Sequence, residues 1–287
     1  MNDSNVDATI IIPHFDDLKG LERMLSSTVS MGVIVIVVDD KSDPTVRGGL
    51  EGIVSNYSHA QLLHNRSPKK GAGVARNIGL NACHTKWVLF ADADDCFLEG
   101  AGQILRDRLR ENKSTDVIYF SPVSAFSGNL KVGQQSQRHK LYERLVKNYL
   151  ANADEAIRYQ YFPPWSKVFN VHFLQENNIQ FDSCIASNDI MFSLKSGFLA
   201  KRIKVYDENI YLITEGSNSL TKQKSKKVVR SRFLAAMRYN RYLNNSCKKK
   251  CYQHDLLGAI RLYSIEMKVV SIVFLLRRFI GSKWRII

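Results

Sequence analysis

The stretch KWVLFADADDCF, Lys86–Phe97, decides how this chain is read. Five of its first six residues are apolar, as in a strand covered on both faces of a sheet. It runs straight into Asp92, Asp94 and Asp95, with only Ala93 between them. Carboxylates this close raise one another's pKa unless a cation or a set of hydrogen-bond donors compensates them. An acidic cluster of this kind at the end of a core strand therefore calls for a chemical reason.

Two further runs share the strand character, ATIIIPHF (8–15) and GVIVIVVDDKS (32–42). Between them Leu18, Leu21 and Leu25 recur at helical spacing, and GAGVARNIGLNAC (71–83) places Val74, Ile78 and Ala82 four apart. Strand, helix, strand, helix, strand predicts an α/β fold with a mostly parallel central sheet and right-handed crossovers. Ligands in such sheets bind outside the carboxyl ends of the strands, so Asp39 and Asp40 belong to the same crevice as the Asp92–Asp95 cluster. Farther on, 99–112 reads as a helix, 115–126 as a strand, 128–140 as a loop and 141–150 as an amphipathic helix. Asn188 and Asp189 open an apolar helix, and 202–213 is strand-like.

The chain has 287 residues, 45% of them hydrophobic, enough for one large α/β domain with an appendage. The N-terminus is polar and acidic, without the pattern of a secretory signal, which predicts a cytoplasmic protein. Cys83, Cys96, Cys184, Cys247 and Cys251 are odd in number and widely spaced, as free thiols would be. Cys247, Cys251 and His254 make too small a ligand set for a zinc site. The formal charge of +14 is concentrated beyond residue 220, where basic amphipathic helices are expected. The most apolar run there, VVSIVFLL, is far shorter than the roughly 20 residues of a membrane span. This tail either lies on an anionic membrane surface or packs on protein, and the charge alone would also suit nucleic acid. The acidic clusters and the lack of a nucleic-acid-binding motif argue against nucleic acid.

Taken in order, five segments resemble family 2 glycosyltransferases of the GT-A fold, of the kind found in bacterial capsule, lipopolysaccharide and exopolysaccharide biosynthesis. They are the first strand ending at Pro13, VIVVDDKSDP, GAGVARNIGL, WVLFADADD and IQFDSCIASNDIMF. The resemblance covers about residues 8–220 and implies a catalytic domain over 1–222, with a nucleotide-binding half to about 125 and an acceptor half over 126–222. A basic helical extension would follow over 223–287. It implies an inverting hexosyl- or N-acetylhexosaminyl-transferase that moves a sugar from a nucleotide diphosphate donor, such as a UDP-sugar, to a saccharide or lipid-linked saccharide. A catalytically inactive GT-A scaffold and a nucleic-acid-binding protein are the alternatives, and either monomer or oligomer is compatible with the sequence.

Residue by residue, the resemblance puts Pro13, Asp39 and Asp40 beside the nucleobase, and Arg76, Asp92, Ala93 and Asp94 on the nucleotide sugar. His14 and Phe15 depart from the family's usual residues after the proline, which leaves the stacking partner open. A Mn2+ or Mg2+ ion would be held by Asp94 or Asp95, since hard cations take carboxylate oxygens. Asp189 takes the place of the catalytic base, with Asn188 where a Glu is more usual; the pair could also cap the helix, alone or together with the catalytic role. Asn188 and Trp165 fall on the acceptor side, and Trp165 would suit core packing as well. In the loop EGSNSLT (215–221), Glu215 replaces the Arg or His that some relatives use against the diphosphate. The whole reading places the enzyme in the cytoplasm, with a peripheral position on the inner face of the membrane as one option.

Overall fold

A computed structural model of the chain describes residues 6–126, 136–215 and 225–256. The first half alternates strand and helix. It comprises β1 (Ala8–His14), α1 (Leu18–Thr28), β2 (Ile34–Asp39), α2 (Pro44–Ser55), β3 (Ala60–His64), α3 (Ala72–Asn81) and β4 (Trp87–Phe90). Then come a two-residue strand β5 (Cys96–Phe97), α4 (Ala101–Glu111) and β6 (Val117–Phe126). The second half holds α5 (Lys140–Asn152), α6 (Ala156–Gln160), β7 (Lys167–Asn170), α7 (Val171–Glu176), α8 (Ile190–Leu199), β8 (Ile203–Glu215) and α9 (Lys226–Tyr242).

All eight strands join one sheet in the order β3-β2-β1-β4-β7-β6-β8-β5. β1 is parallel to β2 and β4, β2 to β3, and β6 to β8, whereas β7 and β5 run against their neighbours. The apolar runs are buried as a two-sided sheet requires: Ile10, Ile11, Ile12, Val35, Val37 and Val88 have no exposed surface.

The simple alternation read from the sequence omits α2 and β3. Their inclusion makes the connection from β2 to β4 pass through an edge strand. AQLLH in β3 contains no β-branched residue and is only half-buried, so neither composition nor periodicity marks it. α2 is marked locally, by Asp43 accepting from the Thr45 amide and by Pro44 in the first turn.

An aromatic cluster ties the two halves together. Phe90, at the end of β4, packs edge-on against Phe169 of β7, Phe181 and Phe192 of α8. Phe181 and Phe192 themselves stack with centroids 3.9 Å apart. The strand that delivers Asp92 thus also anchors the helix that follows Asp189, and the two carboxylates are positioned by one core.

The described part of the basic tail is α9 followed by two short helical turns, Leu243–Cys247 and Lys250–Tyr252. Val228, Val229, Phe233, Ala235 and Tyr239 of α9 are buried, and the Tyr239 hydroxyl donates to the Tyr159 carbonyl at 2.8 Å. Residues 216–224, where the expected boundary at 222 falls, and the part of the expected helical extension from 257 onward lie outside the described residues. Among the described residues no helix is long and apolar enough to cross a membrane.

Helices α8 and α6 approach each other closely. A Cβ on Gly197 would lie 1.9 Å from the Arg158 carbonyl oxygen, so only glycine permits the approach. Gly197→Ala should lower unfolding stability by about 1–3 kcal/mol, the usual cost of overpacking, read as a reduced midpoint in urea denaturation.

Candidate active site

The carboxyl ends of β1 to β4 and the start of α8 converge on one crevice. At the end of β2 the Asp40 carboxylate accepts from the Asn65 side chain at 2.7 Å and from the Gly71 amide at 2.7 Å. Asp40 therefore fastens the end of β3 and the start of α3 to β2. Asp39 is also buried and accepts from the Ser42 amide at 3.1 Å, with His64 Nδ1 at 3.4 Å. Burial pushes the Asp39 pKa up, but the hydrogen bonds from Ser42 and His64 outweigh it and the net shift is downward. Burial holds the neighbouring His14 below the usual imidazole pKa, and its Nε2 has no partner among the described residues. Pro13 is half-buried beside it, and Phe15 is 50% exposed with Lys70 Nζ 3.5 Å from its ring centroid.

The loop after β4 separates its three charges by giving each a different environment. Asp92 accepts from Arg76 at 2.5 Å. Asp95 is 1% exposed and accepts from the Tyr211 hydroxyl at 2.8 Å and the Thr214 amide at 2.6 Å. The Asp92 amide donates to the same hydroxyl at 2.9 Å, so Tyr211 of β8 bridges both ends of the loop. Burial, followed by repulsion from Asp94 and Asp92, raises the Asp95 pKa well above the carboxylate range. The Asp94 side chain is exposed and has no hydrogen-bond partner among the described residues. The surrounding protein, which thins its hydration, and the charge of Asp92 push its pKa up to about 6.

Oxygens of Asp92, Asp94 and Asp95 lie within 4.8 Å of one another, an all-oxygen set suited to a hard divalent cation. The raised pKa of Asp94 is the mark of a carboxylate short of positive charge, which is what a cation would supply.

Arg76 joins this loop to α8. Its second guanidinium nitrogen donates to the Asn188 side chain at 2.9 Å, and its plane lies over Phe181 at 5.3 Å. Gly73 makes the approach possible, since a Cβ there would meet the Asp182 carbonyl oxygen at 2.3 Å. Asp189 then follows Asn188 at the start of α8. It makes no side-chain cap to its own helix, and its carboxylate has no partner side chain among the described residues. Burial raises its pKa, opposed by Arg76 and by Lys167. An uncapped carboxylate with a raised pKa has the properties of a proton acceptor held for a substrate.

Trp165 stands apart from this group. It is 2% exposed, stacked on Tyr211 with centroids 5.9 Å apart and edge-on to Tyr142, so it leaves no face for a sugar and supports Tyr211 instead. Lys167 is buried with it, donating to the Tyr161 carbonyl and to Ser193 Oγ. Burial drives its pKa well below the usual lysine value.

Arg138 belongs to the crevice, although in the sequence it falls within an unassigned loop. It donates to the Thr214 carbonyl at 3.3 Å and its charge bears on Asp94. Tyr211, Thr214 and Asn65 are equally illegible in the sequence, because a hydroxyl or amide on a strand carries no motif. Tyr211→Phe should remove the bridge across the acidic loop and lower stability by about 1–2 kcal/mol. Mn2+ affinity should weaken several-fold, measured by calorimetric titration of both forms.

The model of glycosyl transferase family 2 matches residues 9–176. The uncharacterized glycosyltransferase YibD of Escherichia coli K12 is 26% identical over 218 residues, 74% of this chain and 62% of that protein. The poly(ribitol-phosphate) beta-N-acetylglucosaminyltransferase TarP of Staphylococcus aureus N315 is 26% identical over 233 residues, 76% of this chain and 66% of that protein. The chain thus spans a little under two thirds of the length of these relatives. Among solved structures, S. aureus TarS 1–349 in complex with UDP-GlcNAc superposes with a TM-score of 0.60 at 19% identity, over 90% of this chain and 74% of that one. The family match extends over more than half the residues, from β1 through α7, and the solved relative shares the fold. The chain belongs to glycosyl transferase family 2.

Proposed function

We propose that this chain transfers a sugar from a nucleotide diphosphate donor to an acceptor hydroxyl with inversion, using Asp189 as the base. The observation that carries the reading is the Arg76 bridge, which sets an uncapped carboxylate beside an oxygen-lined cation site. A UDP-sugar is the favoured donor, because TarS, which shares the fold, has been solved with UDP-GlcNAc and with UDP.

In this reading the nucleobase lies at the ends of β1 and β2, against Pro13, Phe15, Asp39 and Asp40. Phe15 is half-exposed and would stack a base on the ring face away from Lys70, and each Asp40 oxygen keeps a second lone pair beyond the bonds to Asn65 and Gly71. Arg76, Asp92, Ala93 and Asp94 line the ribose and diphosphate. Asp94 and Asp95 are the candidate ligands for Mn2+ or Mg2+, with Asp94 favoured because Asp95 already accepts from Tyr211 and Thr214. Bound there, the cation would offset negative charge on the departing diphosphate. Arg138 supplies a second positive charge on the same side.

Asp189 takes the proton from the acceptor hydroxyl as that oxygen attacks the anomeric carbon. Asn188 keeps Arg76 aligned beneath it without adding a second carboxylate. The acceptor is a saccharide or lipid-linked saccharide, and a cytoplasmic location suits a nucleotide-sugar substrate.

The test is UDP release from UDP-GlcNAc and a panel of other nucleotide sugars. Release should require Mn2+ or Mg2+, stop with EDTA and return on adding metal. Absence of metal-dependent release across the panel would sink the reading.

Asp189→Asn should cut transfer by about 10²–10⁴-fold while the dissociation constant for UDP changes little. An Asn variant that stays active removes Asp189 as the base. Because the base must be ionised and its pKa is raised in the fold, activity should fall with decreasing pH. The midpoint of that acid limb should sit above the ordinary carboxylate value of about 4 and vanish in the residual activity of Asp189→Asn.

A further inference from the structure

α9 carries six basic residues and no acidic one in the sequence KKVVRSRFLAAMRYNRY. Its buried side consists of apolar residues packed on the acceptor half, through Phe233 and Tyr239 among others. The outward side is a single stripe. Lys227, Arg230, Leu234, Arg238 and Arg241 are all exposed and follow one another at helical spacings of three and four. Among the described residues Lys227, Arg230 and Arg241 have no carboxylate partner, while Arg238 pairs with Asp182 at 3.0 Å.

The stripe is fastened to the catalytic crevice. Ser231 Oγ donates to the Ala186 carbonyl at 2.8 Å and accepts from the Ala186 amide at 3.2 Å. Arg238 holds Asp182 at the other end of the same loop. That loop leads directly into Asn188 and Asp189, and Lys69 joins it from the donor side with Nζ 3.3 Å from Ser183 Oγ. Between the loop and the helix, Ile185 and Leu234 are 53% and 40% exposed. The approach to Asp189 from the α9 side is therefore bordered by positive charge, whereas the metal side is acidic.

We propose that the outward face of α9 docks a polyanionic acceptor, a chain bearing repeated phosphate or carboxylate groups, and guides it to Asp189. The polymer's role as acceptor rests on the sugar-transfer reading; the binding of a polyanion to this face does not. Charge complementarity selects the occupant, since Lys227, Arg230 and Arg241, unpaired among the described residues, with Arg238 beside them already paired to Asp182, meet successive anions along a chain. A membrane surface fits less well, because the apolar face that would enter the lipid is already buried against the protein.

The test measures binding of the full chain to a soluble poly(glycerol phosphate) oligomer, without donor or metal, with neutral dextran alongside. Vesicles of phosphatidylcholine and phosphatidylglycerol form a third arm. Wild type should bind the phosphate polymer and not dextran, with affinity falling as salt is raised. The K227E/R230E/R241E variant should bind it at least about tenfold more weakly, because three exposed cations that attract the polymer become anions that repel it. K113E/K201E/K204E, with the same change in net charge on exposed lysines elsewhere, should weaken binding much less. The variant K227Q/R230Q/R241Q should show an intermediate effect, and equal melting temperatures verify that the fold is kept.

Equal weakening in the two charge-reversed variants would overturn the proposal, because the effect would then be one of net charge. Binding to vesicles without binding to the polymer would overturn it in favour of a membrane surface. Neither result bears on metal-dependent UDP release, so the two readings fail separately.

Discussion

The arrangement of the site depends on one buried guanidinium. Arg76 reaches Asp92 after β4 and Asn188 before α8, so it spans the two halves of the sheet with charge-assisted hydrogen bonds. A lysine at this position would meet only one of these partners, because an ammonium lacks the planar fork. The bridge requires Gly73, whose missing Cβ lets α3 lie against the backbone at Asp182. It also requires the phenylalanine cluster, which fixes the relative position of β4 and α8 from below. Packing, backbone approach and electrostatics are thus coupled at a single residue.

The same coupling explains how three aspartates coexist at the end of a core strand. Equal sharing of the repulsion would raise all three pKa values together. Instead Asp92 is paired with Arg76, while Asp95 is buried against Tyr211 and Thr214 with its pKa raised well above the ordinary carboxylate value. Asp94 keeps an open side chain with a pKa of about 6 and carries the residual need for positive charge. Differentiation of this kind gives an acidic cluster that could hold a cation, with one carboxylate left without a protein partner among the described residues. Trp165 stacks on Tyr211, and Tyr142 lies edge-on to Trp165 behind it.

Much of this is legible in the amino-acid order. The apolar runs mark β1, β2 and β4, and the acidic residues after β2 and β4 locate the crevice, because ligands of such sheets bind outside the carboxyl ends of the strands. The GAGVARN segment identifies Arg76 by its resemblance, although only the folded chain reveals that it serves Asp92 and Asn188 together. β3 escapes notice because an edge strand needs no continuous apolar run. Arg138, Tyr211, Thr214 and Asn65 escape because their function arises from long-range contacts; Tyr211 lies 116 residues from Asp95. Trp165 resembles a sugar platform for the reason that makes it a good core residue: a large flat surface is useful in either place, and burial decides between them.

Lys167 shows how the buried core reaches the chemistry. An ammonium with no carboxylate in hydrogen-bond contact is costly, and this one rests only on the Tyr161 carbonyl, Ser193 Oγ and the rings of Tyr161 and Tyr119. Burial lowers its pKa while the charge of Asp189 raises it, and Lys167 in turn holds the Asp189 pKa down against desolvation. Each group therefore limits the shift of the other. Were Lys167 apolar, desolvation of Asp189 would be opposed chiefly by Arg76, which is already committed to Asp92 and Asn188. If Asp189 serves as the base, its proton affinity is held down first by Arg76, which bridges the site, and to a smaller extent by Lys167, which lies within the core.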